Sequence, residues 1–189
     1  MHPYPSLPAS CPPLSPDLLT TQLTSTTQIV TQIIVSYSAD HFNARGFHSA
    51  FFAVVGAAGF TASALLPPDS YTSRYGALIV AASGAFACIP PMLGWLTSNV
   101  FSTAAVGLAV AINVSFGAGL GQMPGVWIYK SEEAKAGFPT GHWVNAGMLY
   151  FVAVGAVLLR LYYGRRNREL LKLGEGSVSG GEAVRLFRL

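Results

Sequence analysis

Three polar side chains lie in the otherwise apolar stretch from Thr103 to Tyr129, and their types could do chemistry. They are Asn113, Ser115 and Gln122. An amide offers both donors and an acceptor, so Asn113 could bind a carboxylate ligand, or it could bond to a neighbouring helix. Both interpretations stay open. The first makes Asn113, Ser115 and Gln122 candidate residues of a ligand cavity.

Motifs of enzymes are missing from the sequence. It contains no paired-histidine metal motif, no phosphate-binding loop ahead of a helix and no nucleophile beside a base. The cysteines, Cys11 and Cys88, are far apart and indicate neither a disulfide framework nor a metal site. We therefore predict a protein that is not an enzyme and uses no cofactor and no metal.

Charge is scarce and unevenly placed. Charged residues make up 10% of the chain and hydrophobic residues 51%, whereas soluble domains carry about 25% charged residues. Seven of the eleven basic residues lie at or beyond Arg160, so the net charge of +3 belongs to one tail and does not indicate a nucleic-acid groove. The composition predicts an all-α, polytopic transmembrane bundle whose partner is the lipid bilayer, with no nucleic-acid partner.

Five segments are candidate membrane spans within a bundle of residues 18–164. They are 18–37, 47–66, 75–96, 103–129 and 143–163. The first is the weakest, because its first half is rich in Thr and Gln. Residues 1–17 form a proline-rich leader that we expect to be disordered, and residues 165–189 form a basic tail. Because that tail directly follows the last span, the C-terminus is predicted to be cytoplasmic.

Two features of the spans suggest how the helices are shaped and packed. Pro90 and Pro91 lie inside the second strong span and predict a helix bend, since proline removes backbone hydrogen bonds. Gly117, Gly121 and Gly125 are spaced by four residues and predict close helix packing. The same glycine ridge could instead be a surface that moves during gating.

Several short motifs, in order, resemble one family of proteins. They are Arg74-Tyr75-Gly76, the run from Ile89 to Asn99, Gly117 to Gly121, Ile128 to Ser131, and Gly141-His142. Together they resemble the C-terminal half of fungal major facilitator superfamily transporters, within the anion:cation symporter group of allantoate, nicotinate and pantothenate permeases. The resemblance covers about residues 18–168 and corresponds to the family's spans eight to twelve. It implies an incomplete half of the fold.

The resemblance also implies an activity and a location. It implies transport of a small organic anion, such as a carboxylate vitamin or a nitrogen compound, coupled to protons in the intact family and located in the plasma membrane. Asp40 and Arg45 match the family's cytoplasmic loop, where an acid and a base latch two helices in one conformation. Ser36 and His41 depart from that motif, and the alternative is a solvated loop that ends the helices.

The implied fold needs two six-helix halves with the substrate between them, and this chain supplies less than one. We therefore expect a truncated or partially predicted gene product. The alternative function is a truncated, non-transporting membrane protein that acts as a partner or remains a relic. Association with another transporter half would be one such role.

Overall fold

In a computed structural model, the chain is described at residues 16–100, 102–120, 127–176 and 186–188. These residues are helical in their great majority and contain no strand, so the predicted all-α bundle is confirmed. Six α-helices lie wholly within the described residues: α1 (Pro16–His41), α2 (Arg45–Leu65), α3 (Tyr71–Ala87), α4 (Ile89–Ser98), α5 (Thr103–Val114) and α6 (Pro139–Gly176). A π-helical turn, Ser115–Leu120, continues α5, and a 3-10 turn, Ser131–Ala136, precedes α6.

The contact between α2 and α3 is made by residues with almost no side chain. A Cβ atom on Gly84 would lie 2.4 Å from the Gly56 nitrogen, and one on Gly59 would lie 2.5 Å from the Ala81 nitrogen. The two backbones therefore touch directly. In lipid, where no hydrophobic effect drives helices together, such close contact supplies the packing energy.

An adjoining part of the buried face of α2 packs on α6, again through small residues. Ala53 of α2, Cys88 and Ala153 of α6 form one buried cluster. Large apolar side chains point outward instead: Phe151 is 76% exposed and Ile33 65%. An exposed apolar surface of this kind is unfavourable in water and suits a lipid environment or a covering protein.

Three helical segments of the described residues are long and apolar enough to cross a membrane. They are Arg45–Leu65, Tyr71–Ser98 and Pro139–Lys172. They contain the predicted spans 75–96 and 143–163 and all but the last residue of the predicted span 47–66. The predicted span 18–37 lies within α1, which does not qualify on composition, and α5 with its π turn is a short apolar helix.

The remaining predicted boundaries fall partly outside the described residues. The predicted span 103–129 begins as α5 and passes into the π turn, and residues 121–126 are not described. Of the proline-rich leader 1–17, only residues 16 and 17 are described, as the start of α1. The first part of the predicted tail 165–189 continues α6 as a helix to Gly176.

The two prolines lie just after an interruption of the second long apolar segment. Helix α3 ends at Ala87, Cys88 forms a turn, and Pro90 and Pro91 occupy the first turn of α4. The first turn of a helix tolerates proline, because its N–H groups have no acceptor within the helix. The residue at which one helix ends and the next begins is thus Cys88, and Pro91 is buried against the bundle.

Candidate functional site

Asp40 and Arg45 lie on either side of the tight connection between α1 and α2. The N–H of Ala44 donates to the Ala39 carbonyl at 3.2 Å, and the N–H of Asn43 donates to the Asp40 carbonyl at 3.3 Å. With Asn43 in the left-handed region at φ 50°, this is the Schellman motif that commonly ends helices. It reverses the chain, so that the end of α1 meets the start of α2.

That reversal lets the two charged side chains pair. The Arg45 Nε atom lies 2.6 Å from the Asp40 Oδ1 atom. The Arg45 side chain is 23% exposed and the Asp40 side chain 61%. An ion pair with one partner so exposed contributes little by itself, about 0–1 kcal/mol.

The Arg45 guanidinium also reaches a third helix, which sequence reasoning did not foresee. Its Nη1 atom donates to the Gly94 carbonyl at 2.8 Å and to the Ser98 hydroxyl, both on α4. A Cβ on Gly94 would lie 3.3 Å from that same Nη1 atom, so the missing side chain gives the guanidinium room. Arg45 therefore links the end of α1, the start of α2 and the end of α4, and we call Asp40, Arg45, Gly94 and Ser98 the Arg45 cluster.

The dipole of α4 also favours the positive charge of Arg45 at this position. The Gly94 carbonyl lies in the C-terminal half of α4, toward the end at which the helix dipole places partial negative charge. The same carbonyl accepts from the Ser98 hydroxyl at 2.6 Å. A cation at a helix C-terminus is stabilised by about 0.3–1 kcal/mol at exposed sites and more when partly buried. The sequence signal that could have revealed the contact is the Gly94, Ser98 spacing of four, which places both on one face of α4.

Near the Arg45 cluster, a histidine lines an open apolar cavity between α1 and α2. The cavity has a volume of about 290 Å³ and is lined by Ile34, Val35, Ser38, Phe47, His48, Phe51 and Phe52. The His48 Nδ1 atom lies 2.9 Å from the Ala44 carbonyl, and its Nε2 atom lies 3.1 Å from the Ser38 hydroxyl. Because a carbonyl only accepts, Nδ1 carries the proton, and in the neutral ring Nε2 accepts from Ser38. The His48 ring is thereby fixed by Ser38 of α1 and by Ala44 of the connection between α1 and α2.

The predicted cavity residues do not meet one another in the described part of the chain. Asn113 and Ser115 are both exposed. They lie at the end of α5 and the start of the π turn, and α5 contains no buried residue. Gln122 lies outside the described residues. A cavity role for these three residues stays a prediction.

The predicted glycine ridge also lies mostly outside the described residues. Gly121 and Gly125 are not described, and around Gly117 no described atom lies within 4 Å of the position of a Cβ. The glycines whose Cβ positions meet the backbone of a neighbouring helix in the described residues are on α2 and α3. They are Gly56, Gly59 and Gly84. In the sequence these glycines do not form a regular four-residue repeat, so they are less conspicuous than Gly117, Gly121 and Gly125.

At the other end of the bundle, aromatic and polar groups secure the start of α6. His142 is buried and its ring stacks near Phe60, with ring centres 6.1 Å apart. Tyr129 lies against Gly141, where a Cβ would be 2.6 Å from its Cε1 atom. The Asn145 Nδ2 atom donates to the Tyr129 hydroxyl at 2.8 Å and so ties Tyr129, which precedes the 3-10 turn, to α6.

Glu133 caps α6, and its removal should destabilise the fold. Its carboxylate accepts from the Thr140 N–H at 3.2 Å and from the Thr140 hydroxyl at 2.7 Å. A Glu133→Ala substitution is expected to cost about 1 kcal/mol, as does the loss of other helix caps. Thermal unfolding in detergent would measure it. The control is Glu132→Ala in the same 3-10 turn, which should change stability by less than about 0.5 kcal/mol; equal effects would contradict the cap.

These features define a class of protein: an all-α bundle with membrane-length helices, in which a charged cluster joins three helix ends. Over 159 residues, the chain is 63% identical to the MFS transporter prlL of Fungal sp. (strain NRRL 50135). The match covers 84% of this chain and 31% of that transporter, so the chain spans about a third of its relative's length. No protein-family model matches the chain, and no solved structure does.

Proposed function

We propose that this chain forms part of a secondary transporter of the major facilitator type. The observation that carries the proposal is the 63% identity to a major facilitator transporter over 84% of the chain. Such identity across several membrane-length helices implies a shared arrangement of those helices. On the resemblance of its motifs to the anion:cation symporters, we further propose that the intact protein moves a small organic anion together with protons.

The Arg45 cluster supports the proposal through its position. In transporters that alternate access, two helix bundles rock and helix ends at one face separate and meet again. Arg45 joins α1, α2 and α4 at one such face through one ion pair and two hydrogen bonds. We propose that this cluster acts as a latch, stabilising the state in which these three helix ends are together.

The direction of the bundle follows from the charges at the same end. The end of α6 that lies beside the Arg45 cluster carries Arg165, Arg166, Arg168 and Lys172. Basic residues next to a span favour the cytoplasmic side. We therefore propose that the Arg45 cluster and the C-terminus are cytoplasmic. From the family resemblance, we propose that the membrane is the plasma membrane.

Uptake by the intact protein tests this function. The full reading frame that contains this sequence would be expressed in cells, and accumulation of radiolabelled small carboxylates measured with and without a protonophore. We expect accumulation that the protonophore abolishes. Asn113→Ala should lower uptake about tenfold if its amide binds the carboxylate, since hydrogen bonds to charged groups contribute about 1.5–3 kcal/mol. Gly107→Ala, on the same helix with no described atom near its Cβ position, is the control.

Each negative result has its own meaning. Accumulation of a neutral or cationic solute, with no carboxylate uptake, would reject the organic anion and leave the transporter class intact. A full transcript without further spans, together with no uptake, would reject transport and favour a non-transporting membrane protein. An unchanged rate in Asn113→Ala would remove that residue from the cavity.

A further inference from the structure

A three-residue segment near the C-terminus contacts the end of α4 and the C-terminal half of α6, and it is far in sequence from α4. Asn167 of α6 pairs with Phe187 twice. Its Nδ2 atom donates to the Phe187 carbonyl at 2.8 Å, and its Oδ1 atom accepts from the Phe187 N–H at 2.8 Å. One amide side chain therefore satisfies both main-chain polar groups of one residue.

Asn99, which follows α4 directly, pairs in the same way with the main chain of Arg188. Its Oδ1 atom accepts from the Arg188 N–H at 2.8 Å, and its Nδ2 atom lies 3.3 Å from the Arg188 carbonyl. The Trp95 indole N–H donates to that same carbonyl at 2.8 Å. The Asn99 amide is also fixed by a bond from Nδ2 to the Trp95 carbonyl at 3.0 Å.

An aromatic contact completes the arrangement. The Phe187 ring stacks on Tyr163 of α6, with ring centres 4.9 Å apart and planes 14° apart. Tyr163 in turn meets the edge of Trp95, with centres 5.8 Å apart. Trp95 forms one buried cluster with Ala50 of α2 and Ala156 of α6, so the platform beneath the segment is part of the packed bundle and not a loose surface side chain.

The pattern of these contacts resembles recognition of an extended peptide. All four main-chain polar groups of residues 187 and 188 are paired, whereas in a segment lying by chance on a surface most such groups would bond to water. Main-chain bonds give affinity and a side-chain platform gives selectivity, as in other sites that bind extended peptides. The four receiving side chains come from two different helices, so an occupied site joins them.

We propose that Trp95, Asn99, Tyr163 and Asn167 form a peptide-binding site, the tail site, which the chain's own residues 186–188 occupy. Occupancy holds the end of α4 against α6. Helix α4 also carries Gly94 and Ser98 of the Arg45 cluster. The Arg45 cluster and the tail site together therefore link α1, α2, α4 and α6. The inference does not depend on transport, because docking can be measured without any substrate.

Fluorescence quenching tests the tail site in the full chain in membranes. Arg188→Cys, in a background with Cys11→Ser and Cys88→Ser, would be labelled with bimane, which tryptophan quenches on contact. Recognition of the main chain predicts that the label is tolerated at residue 188. We expect quenching that Trp95→Phe relieves and that Trp127→Phe and Trp143→Phe leave unchanged.

Two matched pairs of variants separate docking from general damage. Asn167→Ala should lower the ratio of docked to free tail about tenfold, as expected for lost hydrogen bonds, while Asn145→Ala at the other end should not. Phe187→Ala should relieve quenching and Leu186→Ala, an exposed neighbour, should not. Residues 186 and 187 lie outside the described helices, so neither substitution alters a helix itself. Absent quenching in the parent, or quenching unchanged in both Asn167→Ala and Phe187→Ala, would overturn the proposal.

Discussion

The Gly84→Leu variant is expected to lose the packing of α2 on α3 and to unfold at a markedly lower temperature. The first side-chain atom at this position would lie 2.4 Å from the Gly56 nitrogen and 2.9 Å from the Phe52 carbonyl oxygen. Both neighbours are backbone, so no side-chain rotation can relieve the overlap. Overpacking of this kind costs about 1–3 kcal/mol, and we expect the upper end. Thermal unfolding in detergent, followed by circular dichroism, measures the effect.

The control for Gly84 lies on the same helix. No described atom lies within 4 Å of the Cβ position of Gly76, so Gly76→Leu meets no obstacle. It should be neutral or slightly stabilising, because leucine is a better helix former than glycine by about 1 kcal/mol. Equal losses in the two variants would mean that the helix, and not its contact with α2, sets the cost.

The second large effect is expected at Arg45. Arg45→Ala removes the ion pair to Asp40 and the bonds to the Gly94 carbonyl and the Ser98 hydroxyl. Hydrogen bonds to charged groups contribute about 1.5–3 kcal/mol, so we expect a loss of about 2 kcal/mol in unfolding free energy. Arg45→Lys should recover only part, since one ammonium does not reproduce the guanidinium fork. Denaturant unfolding of the purified chain in detergent gives these values.

Asp40→Asn separates the contribution of the ion pair from that of the hydrogen bonds between Arg45 and α4. Because the Asp40 side chain is 61% exposed, its substitution should cost less than about 1 kcal/mol and leave the α4 contacts in place. A cost as large as that of Arg45→Ala would show that the ion pair, and not the link to α4, dominates. If the Arg45 cluster is the proposed latch, Arg45→Ala in the full-length protein should also raise the rate at which a thiol-reactive probe labels a cysteine introduced by Ser98→Cys.

Some of the architecture could be predicted because it depends on local pattern. Long apolar stretches with few charges predict membrane-length helices wherever they occur, and α2, the α3 and α4 pair, and α6 correspond to three of them. Asp40 and Arg45 are five residues apart across a short connection, so their pairing needs only one chain reversal. The reversal is a Schellman motif in which Asn43 adopts the left-handed conformation, and asparagine tolerates that conformation better than most residues do.

Contacts between distant segments could not be predicted in this way. The packing prediction concerns the glycines with the most regular spacing, Gly117, Gly121 and Gly125. The described contacts between helix backbones are instead at Gly56, Gly59 and Gly84. Spacing shows that a small-residue face exists, but only the arrangement of neighbouring helices decides which face is used. The functional role of Asn113, Ser115 and Gln122 stays a prediction for the same reason.

By itself, the amino-acid sequence determined that this chain is an all-α bundle of apolar helices with a basic end, because hydropathy and charge act along the chain. The tertiary structure alone decided that Arg45 reaches Gly94 and Ser98, and that Asn99 and Asn167 meet residues 187 and 188. These partners are 20 to 89 positions apart. Local preference carries no information over such separations, and the packing of α2, α4 and α6 brings the groups within bonding distance.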